Sequence, residues 1–217
     1  QTYDAENQLY LKWENRQVTG SFKVRGALNK VLALQEWERQ CGLVAASAGN
    51  HGQGVALAGK MVNASVVIFA SDHAVPAKVE AMRNLGAEVR LVSGGYGEAE
   101  RAGLAFAKQS GRSWVSPYND GLVIAGQGTL GLDILEDEPS LAAGTWVVPA
   151  GGGGLIVGIG ATLRSQSAKA KLVAVSSEAS PFLHSLYHNG TQEGVSEFPS
   201  LADGLSVLAD LDGCRDG

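Results

Sequence analysis

Cysteine, aromatic side chains and clustered basic charge are all scarce in this chain. The two cysteines, Cys41 and Cys214, show no CxxC spacing, and no secretory segment is read in this sequence, so nothing points to a disulfide framework. Two free thiols in a reduced, cytoplasmic setting are the expectation. Aromatic residues make up 6% of the chain and do not interleave with Lys or Arg, and the net charge is -5, so nothing marks a nucleic-acid surface. Apolar runs such as Leu155 to Ile159 are far too short to span a bilayer, so no membrane partner is expected. His184 and His188 have i,i+4 spacing but no acidic or cysteine partner at ligand spacing, and they read as a surface helix with no bound metal.

Glycine is what the chain has in quantity, 29 residues, and much of it gathers at the ends of short β-type runs. Those runs are Leu9 to Trp13, Leu43 to Ala46, Ala64 to Phe69, Glu88 to Val92, Ser113 to Val115, Thr145 to Val148 and Lys171 to Val175, with helical patterns between them. Several are almost wholly apolar, as expected where helices cover both faces of a parallel sheet. The class is therefore α/β, with mostly parallel sheets and flanking helices. Ligands of such sheets bind beyond the carboxyl ends of the strands.

Three glycine-marked places lie where that rule points. In Thr19-Gly20-Ser21-Phe22-Lys23-Val24-Arg25-Gly26-Ala27, Ser21 is a plausible N-cap that leaves Lys23 in the first turn of a helix behind the first predicted strand. The helix dipole disfavours an ammonium there, which suits a Schiff-base lysine, although on spacing alone a solvated lysine near a helix start is commoner. Ser47-Ala48-Gly49-Asn50-His51-Gly52-Gln53-Gly54 can turn backbone N–H groups and the polar side chains of Ser47, Asn50 and His51 toward a carboxylate; the plain alternative is a capped helix with a tight turn. Gly151, Gly152, Gly153 and Gly154 follow a strand and open an apolar helix, so their amides can wrap a phosphate. No Lys-Ser/Thr follows, and the third glycine of a dinucleotide fingerprint is missing. A glycine turn serving only close helix–strand packing is the alternative.

In this order and spacing the motifs, with Ala125-Gly126-Gln127-Gly128-Thr129, resemble the threonine dehydratase/serine racemase group of fold type II pyridoxal phosphate enzymes, within the tryptophan synthase beta superfamily. The resemblance runs from about Leu9 to Gly204. It implies pyridoxal 5'-phosphate as cofactor, bound covalently by Lys23, which also shuttles the substrate Cα proton. Phe22 would pack on the cofactor ring, Asn50 would meet its 3-hydroxyl, and Gly151, Gly152, Gly153 and Gly154 would hold its phosphate. Ser47, Ala48, Asn50 and His51 would form the turn for the substrate carboxylate. The implied architecture is a large lobe of residues 1–42 and 119–217, incomplete here, and a small lobe of residues 43–118.

The implied activity is a lyase reaction, L-threonine or L-serine going to a 2-oxo acid and ammonia, in a homo-oligomer (dimer or tetramer) at full length. The alternatives are an amino-acid racemase or related hydroxy-amino-acid lyase and, outside enzymes, a truncated non-catalytic relative that binds the cofactor weakly or not at all. Ala48 stands where racemases of the group carry a second serine, which favours elimination. Ser176 stands where cation-binding members carry an acid, so no metal is expected. The group has a segment ahead of the position of Gln1 and a long part after Asp203-Gly204, including the residue facing the pyridine nitrogen. The 217-residue chain by itself is thus expected to be weakly active at most. β-Replacement of the cysteine-synthase type fits the Ser-Phe-Lys-Val-Arg-Gly context less well.

Overall fold

The computed structural model describes residues 8–166 and 168–206, and the two central strands of its first sheet are almost wholly apolar on both faces. β1 (Leu43–Ala46) is buried throughout. β2 (Val66–Ser71), β3 (Glu88–Val92) and β4 (Ser113–Trp114) join it in the order β3-β2-β1-β4, every pairing parallel. Leu43 pairs with Val66 and Ala46 with Phe69, so alternate side chains of the two strands leave the sheet on the same face. Leu43, Ala45, Val66 and Ile68 enter a core with Val55 of α3 (Asn50–Met61) and Met82 of α4 (Pro76–Asn84). Val44, Val67 and Phe69 enter a second core with Ala99 and Ala107 of α5 (Tyr96–Ser110) on the opposite face. Two covered faces explain why these runs are continuous in Leu, Val, Ile and Ala rather than alternating.

β5 (Thr145–Pro149) and β6 (Lys171–Val175) form a separate parallel pair. Here the strand does alternate. Trp146 and Val148 pack with Leu130 of α6 (Gly121–Asp137) and Ile159 of α7 (Gly154–Ser165), whereas Val147 points away and is 65% exposed. The remaining helices are α1 (Lys23–Ala33), α2 (Glu36–Cys41) and α8 (Phe182–Asn189).

α1 lies between the two units, against α3 on one side and α6 on the other. Small residues set that placement. A Cβ added at Gly126 of α6 would fall 2.6 Å from the Cα of Gly26 and 2.7 Å from the carbonyl oxygen of Arg25, so the helices touch backbone to backbone. Buried Gln127 completes the crossing, its Oε1 accepting the Gly26 N–H at 3.1 Å. One residue starts α6 and fastens it: the Oδ1 of Asp120 accepts the N–H groups of Leu122 and Val123, and its Oδ2 pairs with Lys30 of α1 at 2.7 Å.

Three sequence expectations shift. Leu9 to Trp13 is not a strand: no strand lies beside it among the described residues to complete a ladder. Instead it runs as irregular chain into a 3₁₀ turn at Glu14–Arg16 and is held by side chains, Lys12 to Asp137 and Glu14 to Arg25. The second sheet strand begins at Val66 rather than Ala64, because Ala64 donates back to Gly59 and closes the end of α3. Ser21 is not the N-cap of α1: Phe22 takes that position with no side-chain cap, and the Ser21 Oγ, one place earlier, accepts the Lys23 N–H at 3.3 Å.

Candidate active site

Four segments meet around the short stretch Val115–Tyr118, which leaves β4 and is buried throughout. The amine of Lys23 donates to the carbonyl oxygen of Pro117 at 2.8 Å. The Nε2 of His51 bonds the carbonyl oxygen of Val115 at 2.8 Å. Tyr118 packs beneath Gly152 and Gly154, and it lies close enough to Tyr96 of α5 to help raise that phenol's pKa. The stretch thus gathers the lysine, the Asn50 turn and the glycine loop at the carboxyl ends of β1, β4 and β5.

Lys23 is half-buried as a residue, and its amine is the end turned inward. Lost hydration pushes its pKa down from 10.5 to about 8. The N-terminal position on α1 acts in the same sense. Backbone crowds the lysine from one side, since a Cβ at Gly54 of α3 would sit 3.2 Å from the Lys23 carbonyl. Phe22 lies beside the amine, which is 5.4 Å from the ring centroid, and the ring leans on the core around Trp146 and Ile159.

Two residues beyond, Arg25 pins this helix end. It contacts Glu14 at 2.8 Å, Asp133 of α6 at 2.6 Å and the Thr129 hydroxyl at 3.0 Å. The Glu14 hydrogen bond is the leading reason that the guanidinium pKa is raised.

The turn after β1 is arranged differently from its side-chain chemistry. Ser47 is buried and its Oγ accepts the Gly49 N–H at 3.1 Å, shaping the turn. Ala48 and Asn50 face solvent, and the N-terminus of α3 has no side-chain cap. His51 is buried with Nδ1 unpartnered. Burial first, then the nearby Lys23 charge, pushes its pKa down to about 3, so the ring is neutral and contributes no cation to an anion in the turn.

The glycine loop is packed on one side and open on the other. Gly151 lies against Leu205, while Gly152 and Gly154 lie against Tyr118. Gly153 has φ +88 and open space where a Cβ would be, and no side chain caps the first turn of α7. An uncapped helix start reached by a left-handed glycine is a ready phosphate cradle. The residues present therefore fit a cofactor with one phosphate and an aldehyde.

Beside the Asn50 turn, the stem of Lys78 lies over Gly49 and its amine pairs with Asp203 at 2.5 Å. Sequence reasoning did not single out Lys78, whose partner Asp203 lies 125 positions away. It also missed Val115–Tyr118; a Ser-Pro-Tyr-Asn break directly after a strand was the available signal. His184 and His188 stack on α8 with ring centroids 4.3 Å apart, and among the described residues no three His, Cys, Asp or Glu side chains are gathered as for a metal ion. Cys41 is exposed and free, Cys214 lies outside the described residues, and no described helix is long and apolar enough to cross a membrane.

Residues 2–213 match the family described as pyridoxal-phosphate dependent enzyme. The chain is 46% identical over 200 residues to an L-threonine ammonia-lyase of Thermotoga maritima, covering 92% of this chain and 49% of that protein. It is 39% identical over 199 residues to an L-threonine ammonia-lyase of Geobacter sulfurreducens, with the same coverage, 92% and 49%. Among solved structures, the processed form of threonine deaminase isoform 2 from Solanum lycopersicum superposes with a TM-score of 0.85 at 33% identity, over 94% of this chain and 59% of that one. Maize serine racemase gives a TM-score of 0.86 at 28% identity, over 97% and 64%. The chain spans about half the length of the curated relatives it matches.

Proposed function

The chain belongs to the family of pyridoxal-phosphate dependent enzymes, and from that premise we propose that it carries the core of a lyase that converts L-threonine or L-serine to a 2-oxo acid and ammonia. The observation that carries this reading is the Lys23 amine, desolvated to a pKa of about 8 and held on Pro117 one residue from the floor of the glycine loop. Bound pyridoxal phosphate supplies an aldehyde for an amine and a conjugated ring that spreads carbanion charge.

The residues of the chain divide the remaining work. Lys23 attaches the cofactor and serves as the base that takes the substrate Cα proton and returns one, since a pKa of about 8 leaves both forms populated near neutrality. Gly151, Gly152, Gly153 and Gly154 hold the phosphate with backbone N–H groups, and Phe22 packs beside the ring. Asn50 serves the 3-hydroxyl. The turn of Ser47, Ala48, Asn50 and His51 takes the substrate carboxylate through the uncapped start of α3; because the His51 ring is neutral, amide donors do this rather than an imidazolium. Ala48 has neither acid nor base to offer the second face of Cα, which favours elimination over racemisation. Residues 43–118 then form the small lobe, and residues 1–42 with 119–217 belong to the large one. Homo-oligomerisation and a reduced, cytoplasmic setting complete the reading.

With pyridoxal phosphate supplied, the protein at full length is expected to release 2-oxobutanoate from L-threonine or pyruvate from L-serine, with little D-serine. D-serine as the main product would support the racemase reading instead. Raising the pH removes the Lys23 proton, so the rate at which the visible band of the covalent cofactor grows is expected to rise about fivefold from pH 7 to pH 8 and then level off. A rate that keeps climbing tenfold per unit through pH 9 would show an ordinary, hydrated lysine.

A further inference from the structure

The glycines of the loop are explained by what lies beneath them. A Cβ on Gly152 would come within 2.7 Å of ring carbons Cγ and Cδ1 of Tyr118, and one on Gly154 within 3.0 Å of the Tyr118 Cα. Tyr118 therefore fills the space that side chains at these positions would need, with its ring under Gly152 and its backbone under Gly154, while Gly153 between them faces open space. A phenylalanine would fill that space equally well, so packing leaves the Tyr118 hydroxyl unexplained.

That hydroxyl is engaged elsewhere. Its neighbour is Tyr96, whose pKa Tyr118 helps to raise and whose own hydroxyl donates to the Oε1 of Glu100 at 2.9 Å. Each phenol has one proton to give, so with the Tyr96 proton on Glu100 a bond between the two phenols would run from Tyr118 to the Tyr96 oxygen. Burial, ahead of the Tyr118 and Glu100 contributions, raises the Tyr96 pKa above the usual phenol range and keeps it a neutral donor. Tyr96 and Glu100 stand one turn apart on α5, which covers the outer face of the first sheet. Packing of the glycine loop on Tyr118, and of Tyr118 beside Tyr96, thus leads from β5 to a helix of the other sheet.

We propose that Tyr118 is the positioning residue of the glycine loop: its ring is the floor under Gly152, its backbone the floor under Gly154, and its hydroxyl, moored through Tyr96 to Glu100, ties the loop to α5. The inference rests on the reading of this loop as the cofactor's phosphate site. Two measurements test it, on the unchanged protein and on Tyr118→Phe, Tyr96→Phe and Tyr118→Ala. In cofactor-free protein, amide hydrogen exchange at residues 151–155 is expected to quicken in all three variants, most in Tyr118→Ala. In binding followed by the visible band, Tyr118→Phe and Tyr96→Phe are expected to lose about fivefold in affinity for pyridoxal phosphate, the usual effect of one buried hydrogen bond, and Tyr118→Ala tenfold or more. Affinity for pyridoxal, which lacks the phosphate, should change less than twofold in the two phenylalanine variants.

Unchanged exchange in both phenylalanine variants would overturn the mooring, and equal losses for pyridoxal phosphate and pyridoxal would overturn the positioning role. If the unchanged protein bound neither compound, the proposed function would fail, and the exchange comparison would still decide whether Tyr118 positions the loop.

Discussion

Lys23→Ala is expected to lower turnover by roughly three orders of magnitude or more while leaving the fold in place, because it removes at once the covalent attachment point and the base. Its side chain makes one hydrogen bond, to Pro117, and its amine is desolvated, so losing it leaves little packing behind and relieves an unfavourable burial. The thermal midpoint should move by no more than a few degrees. Circular dichroism melts together with a 2-oxo acid assay separate the two effects. Near-normal activity in this variant would remove Lys23 from the chemistry, and collapse of the fold would show that the lysine is structural.

Gly126→Val is expected to produce the largest loss of stability of any change considered. The added Cβ would meet the Gly26 Cα, the Arg25 carbonyl and the Asn29 Cβ at 2.6 to 2.7 Å, and two of these are backbone atoms that no rotamer change can move aside. The helices must separate, which costs about 3 kcal/mol or more. Separation also unseats α1, which bears Lys23, from Gln127 and from the Arg25–Asp133 pair. Urea midpoints at unchanged slope would measure the loss. A midpoint within error of the parent would mean that α1 and α6 do not cross where the structure places them.

The strands of the first sheet were legible because burial on both faces leaves only Leu, Val, Ile, Ala and Phe along β1 and most of β2. Lys23, the Asn50 turn and the glycine loop were legible for another reason: each stands at a strand or helix end, where local chemistry is written in neighbouring residues. What escaped the sequence depends on distance along the chain. Leu9 to Trp13 has the residues of a strand, but a strand needs a partner, and Lys12 and Glu14 instead bind α6 and α1. Gly126 and Gly128 read as a family signature with no evident task until α1 and α7 were seen against them. Tyr118 joins Tyr96 and two glycines 34 and 36 positions further on, and Lys78 meets Asp203 beside the Asn50 turn, contacts that no local pattern encodes.

The central claim is that Lys23, alone among the lysines, is built to receive the cofactor. Its most direct test is borohydride reduction of the protein with stoichiometric pyridoxal phosphate near pH 8, followed by peptide mass mapping. The expected result is a single pyridoxyl group on the peptide carrying Ser21-Phe22-Lys23. A label spread over exposed lysines such as Lys60, or absent from Lys23, would contradict the account.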